Sequence, residues 1–309
     1  MNFIYKEREE RGAYLQLLMI LCYAIAGISF GTILSFIVML LVFGSGAFGN
    51  FTDFMGNPYY VTVLKISQAL TTGFLFILPP LWLAKTEKIR IKDFYGFKRP
   101  KAFIFLLVFL IMLCSMPLME MIAMANQKMS FPDFLKPIEN WMRNAEDEAT
   151  KMTELLLKTK NGFDFLINIV VIALLPAIGE ELMFRGGVQR IFTRMFNNPH
   201  VAIWISAFIF SAIHVQFFGF FPRMFLGAAF GYIYLWTGSL WYAMFAHFLN
   251  NAYAVSLAWY LQKHHIPLSE ADNSSYFPWY ASIISLILSV LLFYYLKHKT
   301  TAHNGEQLG

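Results

Sequence analysis

Six polar residues stand within apolar stretches of the chain, and side chains of these types can move protons. They are Glu180, Glu181, Arg185, His214, His247 and Asn251. Carboxylates and imidazoles act as general acids and bases, and amides donate hydrogen bonds to oxygen atoms that gain negative charge in a reaction. Because ionisable groups in apolar segments are unfavourable, they mark functional sites by default. The set therefore indicates a catalytic site or a transport site.

The spacing of these residues predicts that they meet. Residues 197–199 (NNP) form a turn signal, and Glu180 and His214 are equally far along the chain from the first residue of that turn. Two helices joined at this turn would bring both side chains to the same height. His247 and Asn251 are four residues apart, so they share one face of a later helix. We expect all four side chains to line one site.

A second pair lies beside Glu180 on the same predicted helix. Glu181 and Arg185 are four residues apart and can form an ion pair. Because neighbouring helical residues are rotated by about 100°, Glu180 and Glu181 face different directions and have different roles. Gly186 and Gly187 follow and permit close approach of another helix. Because Glu181 can pair with Arg185 on a face different from that of Glu180, we expect Glu181 and Arg185 to orient the site.

The elements that carry these residues are predicted to be membrane-spanning helices. Hydrophobic residues make up 58% of the chain and charged residues 14%, whereas soluble domains have roughly 45–50% and about 25%. Apolar runs of about 20 residues cross a bilayer as helices. We predict an all-α polytopic membrane protein that forms a single domain over residues 1–309. About eight helices are expected to span the bilayer, at residues 14–43, 60–84, 102–124, 163–184, 200–219, 222–236, 240–261 and 278–296.

The segment between spans three and four, residues 126–162, is predicted to form a helical loop outside the bilayer. Its pattern favours a helix from about Pro132 to Lys158. The apolar face of that helix would consist of Trp141, Met152, Leu155 and Leu156. Such a helix can lie on the membrane surface or act as a gate for substrate, and we favour the surface position.

Basic residues predict the orientation of the chain. Lys and Arg concentrate in residues 85–101 and in the two terminal tails, which fall on one side of an eight-span arrangement. Short basic loops lie on the cytoplasmic side of membranes. We therefore expect a multi-pass protein with cytoplasmic termini, in a bacterial inner membrane. The same clustering accounts for the net charge of +5, so the lipid bilayer is an expected partner and nucleic acid is not.

At these polar residues the sequence resembles the CPBP family of intramembrane proteases, which includes type II CAAX prenyl proteases and bacteriocin-processing or immunity proteins. The family motif EExxxR is matched by residues 180–185 (EELMFR). The motif FxxxH is matched by residues 210–214 (FSAIH), and HxxxN by residues 247–251 (HFLNN). The three motifs occur in the family's order, and the resemblance covers about residues 163–255. It implies a catalytic core in this segment.

Peptide hydrolysis at this set of residues needs an activated water and a stabilised oxyanion. Glu180 can take a proton from a water held by His214. His247 and Asn251 can donate hydrogen bonds to the oxyanion. The resemblance implies the same catalytic residues, with Glu181 and Arg185 orienting them. It also implies an endopeptidase that acts on a peptide or protein, including membrane-associated substrates such as those of CAAX-type and bacteriocin-processing proteases.

Other functions fit some of the same residues. Glu180, His214 and His247 form a His₂Glu set, which is a known zinc ligation type, and zinc would polarise the water itself. No HExxH helix gathers two ligands, and a metal-bound Glu180 could not be the general base. We therefore favour a glutamate-activated water without a cofactor and keep a zinc metalloendopeptidase as an alternative. A proton-coupled transporter usually has repeated or broken spans, and we find no clear repeat.

Overall fold

The computed structural model describes residues 10–44, 57–268 and 277–305. Every element in these ranges is helical, which confirms the predicted all-α class. The main helices are α1 Ala13–Phe43, α2 Tyr60–Thr86, α3 Ala102–Gln127, α4 Lys136–Leu157, α5 Gly162–Phe196, α6 Pro199–Ala212, α7 Phe220–Thr237, α8 Leu240–Lys263 and α9 Trp279–Gly305. Short helical turns at Ile91–Phe94, Asp133–Leu135 and Phe217–Gly219 lie between them.

The polytopic membrane character is confirmed, but the predicted count of eight spans is not. Among the described residues, six helical segments are long and apolar enough to cross a bilayer: those of α1, α2, α3, α5, α7 and α9. With 14 residues, α6 extends only about 21 Å, which is less than the roughly 30 Å hydrocarbon core. The helix α8 is long enough, but it is not among these six, and it carries the polar residues His247, Asn250 and Asn251.

The helix α5 lies at the centre of the fold. It contacts α1, α2, α6, α7 and α8, while α3 and α9 pack together on the side of α7 and α8. Many large apolar side chains on α1 and α9 point outward, as lipid-facing surfaces require. The candidate site residues on α5 are therefore surrounded by other helices.

Two π-helical segments, Ile169–Leu174 and Leu182–Gln189, interrupt α5. They flank the α-helical segment Leu175–Glu181, whose second residue is Pro176. A proline inside a helix removes one backbone hydrogen bond, and π-helical turns accommodate such irregularities and are frequent at functional sites. The two glutamates therefore lie between two irregular turns of the central helix.

Glycines on α5 allow its neighbours to approach closely, as predicted. A Cβ atom on Gly186 would lie 2.5 Å from the ring of Tyr95, and a Cβ atom on Gly187 would lie 2.5 Å from Ile20 of α1. A Cβ atom on Gly179 would lie 3.0 Å from Phe76 of α2. These contacts fix the position of the central helix.

The segments with basic residues meet at one end of the molecule. Arg11 donates to the backbone oxygen of Thr86 at 2.8 Å. Glu10 forms ion pairs with Arg190 at 2.5 Å and Arg194 at 3.0 Å, both near the end of α5. Glu10, Arg11, the end of α2 and the end of α5 therefore share one end, which we call the basic end. Its cytoplasmic position remains a prediction.

The predicted loop helix exists and lies at the opposite end. It is α4, which begins at Lys136 rather than near Pro132 and ends at Leu157. The ring of Trp141 packs 5.4 Å from that of Phe217, and Glu146 accepts a hydrogen bond from the backbone of Phe218 at 3.1 Å. The helix α4 is thus attached to the turn between α6 and α7.

Candidate catalytic site

A buried ion pair forms the base of the site. Nη1 of Arg185 donates to Oε1 of Glu181 at 2.8 Å, and Nη2 donates to the backbone oxygen of Gly227 at 2.8 Å. The guanidinium lies between the rings of Phe210, at 4.7 Å, and Phe230, at 5.4 Å. Arg185 is only 1% exposed and Glu181 is fully buried. The predicted pair is therefore confirmed, and it is sequestered from solvent.

The same carboxylate holds His247 of α8. Nδ1 of His247 lies 2.8 Å from Oε1 of Glu181, and its ring stacks on Phe230 at 5.2 Å. Because Oε1 of Glu181 also accepts from Arg185, we infer that Nδ1 of His247 donates to this same oxygen. The other ring nitrogen, Nε2, is thereby directed toward Glu180.

Glu180 lies beside that nitrogen. Its Oε2 atom is 3.8 Å from Nε2 of His247, and its side chain is 13% exposed, whereas that of Glu181 is fully buried. A separation of 3.8 Å is too long for a direct hydrogen bond, but it fits two groups that share a water molecule. Of the two adjacent carboxylates, Glu180 is the more accessible.

His214 lies just beyond the end of α6. The predicted fifth span, 200–219, is wrong at this end because α6 stops at Ala212 and a turn follows. Nδ1 of His214 is 2.8 Å from the backbone oxygen of Phe210, which leaves Nε2 for another partner. The Phe210 ring is 5.2 Å from the His214 ring and 5.9 Å from the His247 ring. The two imidazoles thus contact the same phenylalanine ring.

Asn251 is one helical turn after His247 on α8. Its Oδ1 atom accepts from Asn250 at 3.3 Å, and its side chain is partly buried. The spacing of four residues places Asn251 on the face that carries His247. The structure therefore brings Glu180 and His247 together and places His214 against the Phe210 ring that also contacts His247. It puts Asn251 one turn away on the same face as His247.

Arg223, near the start of α7, was missed by the sequence analysis. Nη2 of Arg223 donates to Oε1 of Gln216 at 2.8 Å. Arg223 also interacts electrostatically with Glu180 and His214. The sequence does show a basic residue at the edge of the predicted sixth span, 222–236. However, Arg223 is not three or four residues from any other candidate site residue, so helical spacing does not link it to the site.

A zinc ion at this site would need several of these side chains close together as ligands. Within residues 10–44, 57–268 and 277–305, no group of three or more His, Cys, Asp or Glu side chains is placed to hold a metal. Glu180, His214 and His247 therefore do not form a zinc ligand cluster as arranged here.

The segment that contains all of these residues matches a known protease family. Residues 162–253 of this 309-residue chain match the family described as Type II CAAX prenyl endopeptidase Rce1-like. This match confirms the resemblance to CPBP intramembrane proteases over the part of the chain that carries the three motifs.

One relative among curated proteins is an uncharacterised protein of Bacillus subtilis (strain 168), YpbD. It is 32% identical to this chain over 89 residues, which are 28% of this chain. The matched segment spans 42% of the length of that relative, less than half. No solved structure matches the chain.

Proposed function

We propose that this chain is an intramembrane endopeptidase in which Glu180 activates the attacking water. The main support is the position of the Glu180 carboxylate, 3.8 Å from Nε2 of a histidine whose Nδ1 is held by the buried Glu181. This separation suits a shared water molecule. The match to type II CAAX prenyl endopeptidases over the same residues supports the same class of reaction.

The proposed reaction needs one proton acceptor. Glu180 takes a proton from water while the water oxygen forms a bond to the peptide carbonyl carbon, and Nε2 of His214 orients the water. The carbonyl oxygen becomes an oxyanion. Glu180 then gives its proton to the amide nitrogen as the C–N bond breaks, which leaves a carboxyl group and an amine.

His247 and Asn251 stabilise the oxyanion in this proposal. Because Nδ1–H of His247 is directed to Glu181, Nε2 donates a hydrogen bond only when the ring is positively charged. The Glu181 carboxylate stabilises that charged form, as a carboxylate does behind a catalytic histidine. Asn251 supplies a second donor from the same helical face.

The substrates of this reaction would be peptides or proteins within or at the bilayer. Processing of prenylated CAAX-type termini and processing of bacteriocin-like peptides are the two candidate roles. We place the protein in a bacterial inner membrane, with the basic end in the cytoplasm, because short basic segments favour that side.

Comparative proteomics of membrane peptides tests the proposal. Cells that make the wild-type protein are compared with cells that make Glu180→Gln, and the matched control is Glu148→Gln, which removes a carboxylate that is 75% exposed on α4. We expect a set of cleavage products in the wild type and in Glu148→Gln that Glu180→Gln lacks. Identical peptide patterns in all three would contradict protease activity by Glu180.

The choice of a free glutamate base predicts that hydrolysis continues after removal of metals. Purified protein is treated with a chelator, its metal content is measured, and cleavage of a product identified above is followed. We expect the rate to stay within about twofold of the untreated rate, which is far less than the 10²-fold or larger loss of a missing catalytic group. Loss of activity that one equivalent of zinc restores would make Glu180, His214 and His247 ligands and would disprove the free base.

A further inference from the structure

A groove lies on the outer surface of the molecule at the basic end. It has a volume of about 430 Å³ and runs between the end of α2 and the segment 89–91 that follows it. The backbone nitrogen of Ile89 donates to the oxygen of Ala84 at 3.2 Å, which holds this segment against the end of α2. The candidate catalytic residues are not among those that line the groove.

Apolar side chains form one part of the groove. They are Leu78, Leu81, Ile89 and Ile91. Leu78 and Ile91 are each 43% exposed. Because they lie at the end of a membrane-spanning helix, such exposed apolar side chains mark a surface that contacts lipid.

Two cations and one tryptophan form the other part of the groove. Nζ of Lys85 lies 5.1 Å from the centre of the Trp82 ring, and Nε of Arg90 donates to Oδ2 of Asp93 at 2.6 Å. Among the described residues, neither Nζ of Lys85 nor the terminal nitrogens of Arg90 have a hydrogen-bond partner. Both cations can therefore donate to a ligand in the groove.

The charges around the groove favour an anion. Lys88 and Lys92 are also exposed in the same segment. The carboxylate of Glu87 is buried and paired with Arg11 at 3.6 Å. Asp93 is therefore the one exposed carboxylate between residues 85 and 101. The excess of exposed cations attracts a ligand of negative charge.

The residues of α2 that line the groove follow the chemical order of a phospholipid. Leu78, Leu81, Trp82 and Lys85 share one helical face, since they are three or four residues apart. Lys85 follows Leu78 by seven residues, which is about 10 Å along the axis. Tryptophan side chains lie at the headgroup level of a bilayer. The two leucines are thus on the acyl-chain side of Trp82, and Lys85 is on the headgroup side.

We propose that this groove binds one anionic phospholipid. Its phosphate lies between Lys85 and Arg90, and an acyl chain lies along Leu78 and Leu81. Basic pockets at the ends of membrane-spanning helices bind anionic headgroups in this way. The site is separate from the catalytic groups and does not depend on the proposed peptidase function.

The bound lipid links α2 to the segment that supports the central helix. Arg90 is followed by Phe94 and Tyr95, which are both buried. The guanidinium of Arg190 on α5 lies 4.0 Å from the Phe94 ring, and Tyr95 packs against Gly186. Because a ligand of the folded state stabilises that state, we expect the lipid to raise the unfolding midpoint.

Native mass spectrometry of the full chain in detergent counts bound lipids directly. The delipidated protein is titrated with dioleoylphosphatidylglycerol or with dioleoylphosphatidylcholine, which have the same acyl chains. A basic residue near an anionic headgroup contributes roughly fivefold in affinity. With two such residues, we expect the first phosphatidylglycerol to bind about 30-fold more tightly than the first phosphatidylcholine. The unfolding midpoint should rise more with the former.

Variants assign the preference to the two cations. Lys85→Gln and Arg90→Gln should each lower the affinity for phosphatidylglycerol about fivefold, and the double variant should bind both lipids equally. Lys92→Gln is the matched control, because Lys92 is an exposed cation of the same segment that does not line the groove. It should keep the full preference. All three replaced side chains are exposed, and the unfolding midpoint without lipid verifies that each variant folds.

Several results would overturn the proposal. Equal affinity for both lipids in the wild type, or a preference that the double variant retains, would remove Lys85 and Arg90 from any lipid site. An equal loss in Lys92→Gln would mean diffuse attraction by the basic segment. Displacement of phosphatidylglycerol by glycerol 3-phosphate at equal concentration would assign the groove to a soluble phosphate. A dimer that the double variant breaks would assign it to a second copy of the chain.

Discussion

Glu181 holds both Arg185 and His247 in place, although Glu180 is the proposed base. A single oxygen atom of Glu181, Oε1, is 2.8 Å from both Nη1 of Arg185 and Nδ1 of His247. The guanidinium and the imidazole therefore depend on the same atom. A change at Glu181 should affect the fold through Arg185 and the chemistry through His247.

We predict that Glu181→Gln reduces both stability and activity. The substitution leaves the buried Arg185 charge without the carboxylate that it hydrogen-bonds, which costs about 3–5 kcal/mol in the free energy of unfolding. It also removes the carboxylate that favours a charged His247, so the cleavage rate should fall by about 10²- to 10⁴-fold. Unfolding of the purified protein and turnover of one peptide measure the two effects.

The neighbouring substitution Glu180→Gln is the control, since it should abolish turnover and keep the unfolding midpoint. Equal stability of the two variants would show that the Glu181–Arg185 pair contributes little to the fold. Equal turnover of Glu181→Gln and wild type would show that Glu181 does not contribute to the reaction.

Adjacent asparagines on α8 provide a second matched pair. Asn251 shares the face of His247, whereas Asn250 is rotated by about 100° from it. If Asn251 donates to the oxyanion, Asn251→Ala should lower kcat by about 10²- to 10³-fold with little change in KM, and Asn250→Ala should lower it far less. Steady-state kinetics on one peptide separate the two variants, and similar losses in both would argue against a donor role for Asn251.

Contacts within a helix were predictable from the sequence, whereas contacts between helices were not. The Glu181–Arg185 pair follows from a spacing of four residues. The bond from His247 to Glu181 depends on how α8 is rotated against α5, which no local spacing defines. The equal distances of Glu180 and His214 from the predicted turn suggested that these two side chains face each other. In the structure the Glu180 carboxylate lies beside His247 instead. Arg223 was missed for the same reason, because its partners lie on other segments.

At the scale of elements, the close packing of α5 predicts an effect of adding one methyl group. In Gly186→Ala the new Cβ atom would lie 2.5 Å from the Tyr95 ring. That ring is fully buried, and its hydroxyl donates to the backbone of Pro80, so it cannot move away easily. We expect a loss of about 1–3 kcal/mol in the free energy of unfolding.

Gly73→Ala is the control for this prediction. Gly73 lies in the π-helical turn of α2, and nothing lies within 4 Å of a Cβ atom built there. Since alanine is favoured over glycine in helices, Gly73→Ala should keep the unfolding midpoint or raise it. A larger loss in Gly73→Ala than in Gly186→Ala would mean that the Tyr95 contact does not limit the packing.

The ends of helices were less predictable than their existence. The apolar run of the predicted fifth span continues through Phe217 and Phe218, so hydropathy alone extends the helix to residue 219. In the structure these rings pack against α4, with Trp141 on Phe217 and Arg143 over Phe218 at 4.3 Å. Their apolar character therefore reflects contact with another helix and not continuation of α6. His214 is consequently placed by a turn.

At the scale of the whole molecule, the two ends differ in charge and in shape. The basic end gathers the N-terminal segment with the ends of α2 and α5, and the other end carries α4. We predict that the basic end is cytoplasmic and α4 is on the exterior, because short basic segments remain inside.

Labelling of single cysteines in intact cells tests this orientation. Cys22 and Cys114 are replaced first, and one cysteine is then placed at Lys92 or at Glu148. An impermeant thiol reagent should label the position on α4 and not the position in the basic segment until the cells are opened. The reverse pattern would invert the topology and leave the chemistry of the site unaffected.

The shortness of α6 affects how water, the second reactant in hydrolysis, reaches a site that is surrounded by lipid. A helix of 14 residues falls about 9 Å short of the hydrocarbon thickness. A shorter helix is accommodated by local thinning of the bilayer beside it. The headgroup layer, with its water, is then drawn toward the end of α6, where His214 lies. Solvent would then have less apolar material to cross, so hydrolysis should slow as lipids with longer acyl chains make the surrounding bilayer thicker.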